Sequence, residues 1–422
     1  MEFVTNISAK EFDQFAKSHA LKSHFMQSAS WGQVCKKGKN LIPHYVGLKD
    51  NNQLVAATLL LQKKLFLGYS YFYAPRGYII DFNNSSLLTH FTKCLKSYAK
   101  KNKSIFIKID PDIELHHIDD NGLPIDDGYN NYSLIKLLKQ LGYKHLGFNK
   151  GFEHNQPRYT FRLNMDKPFE EIKANFHPTT RKILNKNNPY NLEIKYGTGK
   201  DIKNFWKLMK ITANRNDFVS NVYQYYYNFY NILHKHNMSD LYYITIDIKK
   251  IIKTTNIMIT ETKKEIKNTN NINIKNDLIN KLEKLQSNLK SFKNYQQEYE
   301  NNLLISAIIT AKFNDKVWTI HGGNHNAFKE LNANYILYYQ VLLDAYNNGY
   351  KIFDFFGTTG NPNSNDNIAG IHLFKKRFGG RYIEFIGEFD LIVYKLPYLI
   401  FTKIIPMYRK IKKAIAKYRL KK

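Results

Sequence analysis

Two stretches of this 422-residue chain run through the same order of elements about 250 residues apart, and that repetition limits the fold more than any single motif. The first has an apolar run at 53–61 (QLVAATLLL) and a second at 69–74 (YSYFYA) that meets a Pro-Arg-Gly turn. A helical pattern follows at about 86–101, then a strand at 104–109 closed by Asp110 and Pro111. The second copy has 303–313 (LLISAIITAKF), then 316–321 (KVWTIH) before a Gly-Gly turn. A helical pattern at about 330–347 leads to a strand at 351–356 closed by Gly357. Each copy reads as antiparallel strands, a helix and a buried strand. That predicts an α/β (α+β) layer fold with its substrate site near strand ends.

Residues 251–302 interrupt the second copy. Gly and Pro vanish there, and Lys, Asn, Glu and Gln surround periodic aliphatics. Leu278, Leu282, Leu285, Leu289, Phe292 and Tyr299 fall at alternating four- and three-residue steps, with Gln296 in the remaining core place. This is the seam of a coiled coil. Ile252, Ile259 and Ile266 recur every seven residues and give a shorter partner stripe, and 267–276 (KNTNNINIKN) supplies a polar turn. One helix cannot bury such a stripe alone, so the segment predicts a hairpin arm.

The chain carries 63 Lys and Arg against 35 Asp and Glu, a net charge of +28. Hydrophobic residues at 43% support real cores, which excludes a disordered polycation. The surplus favours a polyanionic partner such as nucleic acid, an anionic membrane face or a phosphorylated substrate. A compositional bias toward Asn, Lys, Ile and Tyr accounts for part of it. Cys35 and Cys94 give neither a disulfide framework nor zinc spacing. The start MEFVTNISAKEF is not a signal peptide, and no window is apolar enough to span a bilayer, so a cytoplasmic protein is expected. From 398 to 422, aliphatics and aromatics mix with basic residues and no acidic one. Such a helix reads either as a membrane-surface element or as a packed helix with a solvated basic face.

No G-x-x-x-x-G-K-[ST], G-x-S-x-G or H-E-x-x-H pattern occurs, which removes ATP hydrolysis and the common hydrolases. No Gly-rich pyrophosphate loop follows a strand, so no cofactor is expected. His116, His117, Asp119 and Asp120 sit among Asn121, Gly122 and Pro124, the composition of a solvated loop, and no metal is assigned to them. Asp110 at a strand end can hold a substrate amine or act as a base, although Asp-Pro is also the ordinary start of a turn. In 354–381 a strand runs into a Gly/Asn/Ser loop and then a short apolar-basic helix. There Lys375, Lys376 and Arg377 can meet phosphate or a developing oxyanion, or form a solvated basic turn. The run 223–230 (YQYYYNFY) reads as the apolar face of a helix more than as a base-stacking platform.

FMQSASWGQVCKK, YFYAPRGYIIDF, IKIDPD, TTRKILNKN, GTGKDIKNFWKLMKITANRNDF and DFFGTTGNPN…GIHLFKKRFGGRYIEFIGEFD occur in that order over about residues 2–400. This ordered set resembles the FemABX family of tRNA-dependent peptidoglycan peptidyl and aminoacyltransferases. The resemblance implies two tandem GNAT-like acyltransferase domains with the arm inserted in the second: 1–155, then 156–250 with 303–396, the arm at 251–302 and a basic C-terminal helix at 397–422. It also implies transfer of an amino acid from aminoacyl-tRNA to the stem-peptide amine of lipid II or of UDP-MurNAc-pentapeptide. Lys375 then stabilises the carbonyl oxygen or the leaving tRNA hydroxyl, Asp110 orients the acceptor amine, and Lys36, Arg76, Arg181, Arg215, Lys376 and Arg377 bind substrate. Two departures stand out. The family's lysine four residues after the tryptophan is Cys35 here, with Lys36 one place further, and Asn221 stands where some nucleotide-using members carry arginine. The second departure and the basic terminus tilt the acceptor toward lipid II at an anionic membrane face. The arm resembles that of seryl-tRNA synthetase, which implies docking of tRNA. The alternatives are a protein or phospholipid acceptor, or a non-enzymatic basic RNA-binding protein with a coiled-coil arm.

Overall fold

The computed structural model describes residues 1–19, 23–65, 67–153, 155–185, 189–216, 218–299, 301–362, 367–404 and 406. Fourteen strands are assigned among them: β1 Glu2–Val4, β2 Ile42–Asp50, β3 Gln53–Lys64, β4 Ser70–Ala74, β5 Ser104–Ile109, β6 Tyr143–His145, β7 Tyr159–Asn164, β8 Ile194–Tyr196, β9 Leu241–Ile246, β10 Leu303–Phe313, β11 Lys316–Asn324, β12 Ile352–Asp354, β13 Arg381–Glu384 and β14 Phe389–Ile392. The helices are α1 Ala9–Ser18, α2 Ala29–Lys39, α3 Ser85–Lys101, α4 Tyr132–Gln140, α5 Phe169–Ala174, α6 Pro178–Asn185, α7 Ile202–Arg215, α8 Tyr223–His234, α9 Ile248–Asn268, α10 Ile272–Glu298, α11 Ala333–Asn347, α12 Asn367–Lys376 and α13 Lys395–Leu399. They form two units, one of residues 1–161, 356–372 and 381–422, the other of 162–355 and 373–380.

The first unit is built on a sheet of order β1-β2-β3-β4-β5-β14-β6. β2 and β3 close over Asn51 and Asn52, both at positive φ (46° and 65°), the two-residue turn whose twist suits a hairpin. The middle of β3 is buried over six successive residues, which is why its sequence is continuously apolar and does not alternate. α3 covers this sheet with Leu88, Phe91, Leu95 and Ala99, spaced three and four apart along one face. They pack into a core with Leu60, Phe72, Ile107 and Leu391.

The second unit's sheet carries β7, β12, β11, β10, β9 and β8 in that order. Its centre repeats the first: β10 and β11 are antiparallel, and β11 and β12 are parallel, as β3, β4 and β5 are. The duplicated order expected from sequence is therefore a duplicated topology. α8 buries Tyr225, Tyr226, Phe229 and Tyr230 as an apolar face, three of them against the ring of His321.

Three expectations are corrected. β14 lies in the first sheet between β5 and β6, and residues 356–372 and 381–396 belong to the first unit, not to the second domain as sequence order placed them. Its ladder partners, Ile109 and His145, lie far upstream, and nothing local to β14 announces the pairing. In the arm, the turn is only 269–271, because the Asn271 side chain accepts the N–H groups of Asn273 and Ile274 and starts α10 early. In the seam, Gln296 is exposed and Tyr295 takes the inner place, while α9 buries Thr255 and Thr262 beside Ile251 and Ile259. The Thr255 hydroxyl donates to the Ile251 carbonyl at 2.7 Å, which satisfies it and leaves its methyl to pack. Phe292, fully buried, stacks on Phe328 at 5.8 Å and fixes the base of the arm within the second unit. The expected basic helix at 397–422 lies outside the described residues beyond 406; before that, α13 is followed by one further helical turn at Ile400–Ile404.

Candidate active site

Each copy of the repeat ends its third strand on a buried carboxylate. In the first unit this is Asp110, 3% exposed and just beyond β5. Its Oδ2 accepts the Tyr73 hydroxyl at 2.6 Å and its Oδ1 accepts the Arg76 backbone N–H at 2.7 Å. Burial pushes the carboxyl up to about 7; Arg76 pulls it back, and Glu388 adds to the rise. Arg76 is buried at φ 54°, donates to the Pro157 carbonyl at 2.7 Å, and lies 4.4 Å from the Phe385 ring centre. The backbone of the Pro-Arg-Gly turn is thus shaped to hold Asp110, with the guanidinium turned to Pro157.

A charged chain extends from this point. Lys108 bridges Glu388 at 3.1 Å and Asp390 at 3.0 Å, and the Tyr398 hydroxyl donates to Asp390 at 2.9 Å. Burial would lower the Lys108 ammonium, but the two carboxylates more than offset it and raise it. None of Tyr73, Lys108, Glu388 and Asp390 was singled out in the sequence: Tyr73 meets Asp110 through the pairing of β4 with β5, and the other three meet only because β14 enters this sheet.

In the second unit the matching carboxylate is Asp354, 2% exposed, at the end of β12. It accepts the Arg162 Nε–H at 2.7 Å. Lys375 on α12 is 7% exposed, and burial pulls its ammonium down to about 7, with Asp354 partly opposing the fall. A buried amine that titrates near neutrality beside a carboxylate is a marker of function more than of structure. Asp354 was not singled out in the sequence, because the repeat set the strand end at Gly357, whereas β12 already ends at Asp354.

The remaining expected residues are dispersed. Arg377 donates to the Tyr335 hydroxyl at 3.0 Å, and its carbonyl accepts the His177 N–H at 2.9 Å at the start of α6. Arg181 on α6 is exposed and Lys376 half-buried. Arg215, at the end of α7, donates to the Asn324 carbonyl at 3.1 Å where β11 ends. In the first unit Cys35 is 1% exposed, its thiol pushed up to about 12 by burial, while Lys36 faces solvent on α2. Lys39, one turn on, stands 5.7 Å from the Trp31 ring centre. Asn221 is exposed. Among the described residues no cluster of His, Cys, Asp and Glu fits a metal, and no helix is long and apolar enough to cross a membrane.

The chain is 27% identical over 424 residues to the lipid II:glycine glycyltransferase of Staphylococcus epidermidis, covering 98% of both. It is 28% identical over 412 residues to the aminoacyltransferase FemA of Staphylococcus aureus, covering 95% of this chain and 97% of FemA. The crystal structure of FemX superposes with a TM-score of 0.72 at 26% identity, covering 95% of this chain and all of that one. The sequence profile of the FemAB family matches residues 7–404, arm included, and this chain belongs to that family.

Proposed function

We propose that this protein transfers an amino acid from aminoacyl-tRNA to the stem-peptide amine of lipid II and so builds the interpeptide branch of peptidoglycan. Relatives that are a lipid II:glycine glycyltransferase and an aminoacyltransferase, similar over nearly their whole length, support amino-acid transfer in branch building. The observation that carries the chemical reading is the buried Lys375 amine. Attack on an ester develops negative charge on the carbonyl oxygen, and a cation held in a dry site stabilises it with little reorganisation. Lys375 takes that role, or donates to the leaving tRNA hydroxyl. Asp110, fixed from both oxygens and titrating near neutrality, orients the acceptor amine and can take its proton. Arg76, Lys36, Arg181, Arg215, Lys376 and Arg377 remain the proposed substrate-binding cations.

The acceptor is decided by incubating the purified protein with labelled aminoacyl-tRNA and either lipid II or UDP-MurNAc-pentapeptide. Label is expected in lipid II and much less in the nucleotide; label in neither would sink the reading. Asp110→Asn is expected to slow transfer by about 10²-fold, since it removes an oriented acceptor for the amine proton. Full activity in that variant would count against Asp110.

The arm is proposed to dock tRNA. One side of it bears a groove of about 670 Å³ whose lining includes Lys249, Lys253, Lys264, Asn256 and Gln296, with Glu261 as its one acidic residue. The three lysines are exposed and suit a phosphate backbone. Lys249→Glu, Lys253→Glu and Lys264→Glu together should weaken tRNA binding by roughly tenfold or more at low salt, with a shallower salt dependence. Unchanged tRNA affinity by filter binding would remove the arm from the donor site.

A further inference from the structure

At one edge of the first unit a small apolar cluster stands apart from the main core, with Phe106 and Tyr398 buried and Leu65, Tyr69 and Phe401 packed against them. It gathers the β3–β4 hairpin, the turn after α3 and α13. The Tyr69 and Tyr394 rings lie 6.0 Å apart, the Tyr394 hydroxyl donates to the Lys100 carbonyl at 3.2 Å, and Ser70 N–H donates to the Lys103 carbonyl at 3.0 Å. The Tyr398 hydroxyl on Asp390 keys α13 in place.

With the inward side fixed, the outward side is apolar. Leu67 at the hairpin tip is 85% exposed, Leu396 67%, Leu399 50% and Ile404 46%. Residues 396, 399 and 404 share the helical face turned away from Tyr398. Exposed Lys63, Lys64, Lys100, Lys103, Lys395 and Lys403 stand on the same three segments. From 395 to 422 the sequence has ten Lys or Arg and no Asp or Glu. Exposed leucines flanked by charge of one sign need a partner that is apolar within and anionic at its rim. RNA would take the lysines and leave the leucines in water.

We propose that this edge docks on the face of an anionic lipid bilayer, with Leu67, Leu396, Leu399 and Ile404 entering the acyl boundary and the lysines meeting headgroups. This deepens the reading of a lipid-carried acceptor and rests on it only for its biological purpose. The test is flotation of the full chain with vesicles of phosphatidylcholine alone or mixed with phosphatidylglycerol. Binding is expected to the mixed vesicles only and to weaken with salt. A variant with Leu67→Gln, Leu396→Gln and Leu399→Gln should bind about tenfold or more weakly, with an unchanged circular dichroism spectrum and unchanged transfer to a water-soluble acceptor. Undiminished binding by that variant, or equal binding to neutral vesicles, overturns the proposal. So does binding that RNA displaces and that only lysine changes reduce. Vesicle binding without transfer to any acceptor would support docking and sink the proposed activity; transfer without vesicle binding would do the reverse.

Discussion

Lys375→Met lowers kcat for aminoacyl transfer by about 10²–10³-fold, with the acceptor KM close to its parent value, if the buried amine serves the charge that develops during transfer. The same change should raise stability. In the folded chain the Lys375 ammonium is lowered from 10.5 to about 7 by burial. Between those values the unfolded chain holds more protons than the folded one, so folding gains from this group as pH rises from about 7 toward 10.5. Below about 7 the whole penalty of a buried ammonium is present. Methionine carries no such penalty and fills a similar volume, so the variant should be more stable than its parent by on the order of 2–4 kcal/mol at pH 6, with the gain fading by pH 10. Urea unfolding at the two pH values, beside initial rates, checks both parts. A variant that lost stability and activity together would make Lys375 a structural residue. In the parent enzyme, Asp110 must ionise and Lys375 must stay protonated, both near 7, which predicts a narrow bell in kcat/KM centred there.

Arg158→Ala should destabilise the first unit by about 3–5 kcal/mol, because it strands a buried carboxylate. The Arg158 side chain is 2% exposed and paired with Glu384. It also donates to the Phe385 carbonyl at 3.0 Å, the Asn149 carbonyl at 3.2 Å and the Tyr159 hydroxyl at 2.8 Å. Among the described residues Glu384 would keep the Tyr159 hydroxyl and His116, each at 2.8 Å. Arg158→Lys retains the charge without the planar fork that reaches several acceptors at once, so it should recover less than half of the loss. A shift in the urea midpoint equivalent to less than about 1 kcal/mol for Arg158→Ala would show that water replaces the pair.

The repeat was legible because its parts are local: strand runs, hairpin turns and a helix each declare themselves within about twenty residues. Asp110 was legible for the same reason, lying at the end of an apolar run before a proline. What could not be read was built by pairing across long separations. Glu388 and Lys108 are 280 residues apart in sequence, and only the ladder of β14 with β5 makes them neighbours. The seam of the arm was half read for another reason: a threonine that bonds its own helix packs as an apolar residue, and periodicity in aliphatics does not count it. Lys375 stood out by composition, but its burial, which gives it chemistry, is a property of the packed second unit.

The place of β14 also bears on how the protein is made. During synthesis β5 and β6 leave the ribosome with an open gap between them, and the strand that fills it follows hundreds of residues later. At ~5–20 residues per second, that wait is on the order of tens of seconds. Through it the nascent chain holds two unpaired sheet edges, the surfaces most prone to wrong pairing. A ribosome that stalls anywhere before 389 releases a chain whose first sheet cannot close. The half that is made first is finished last.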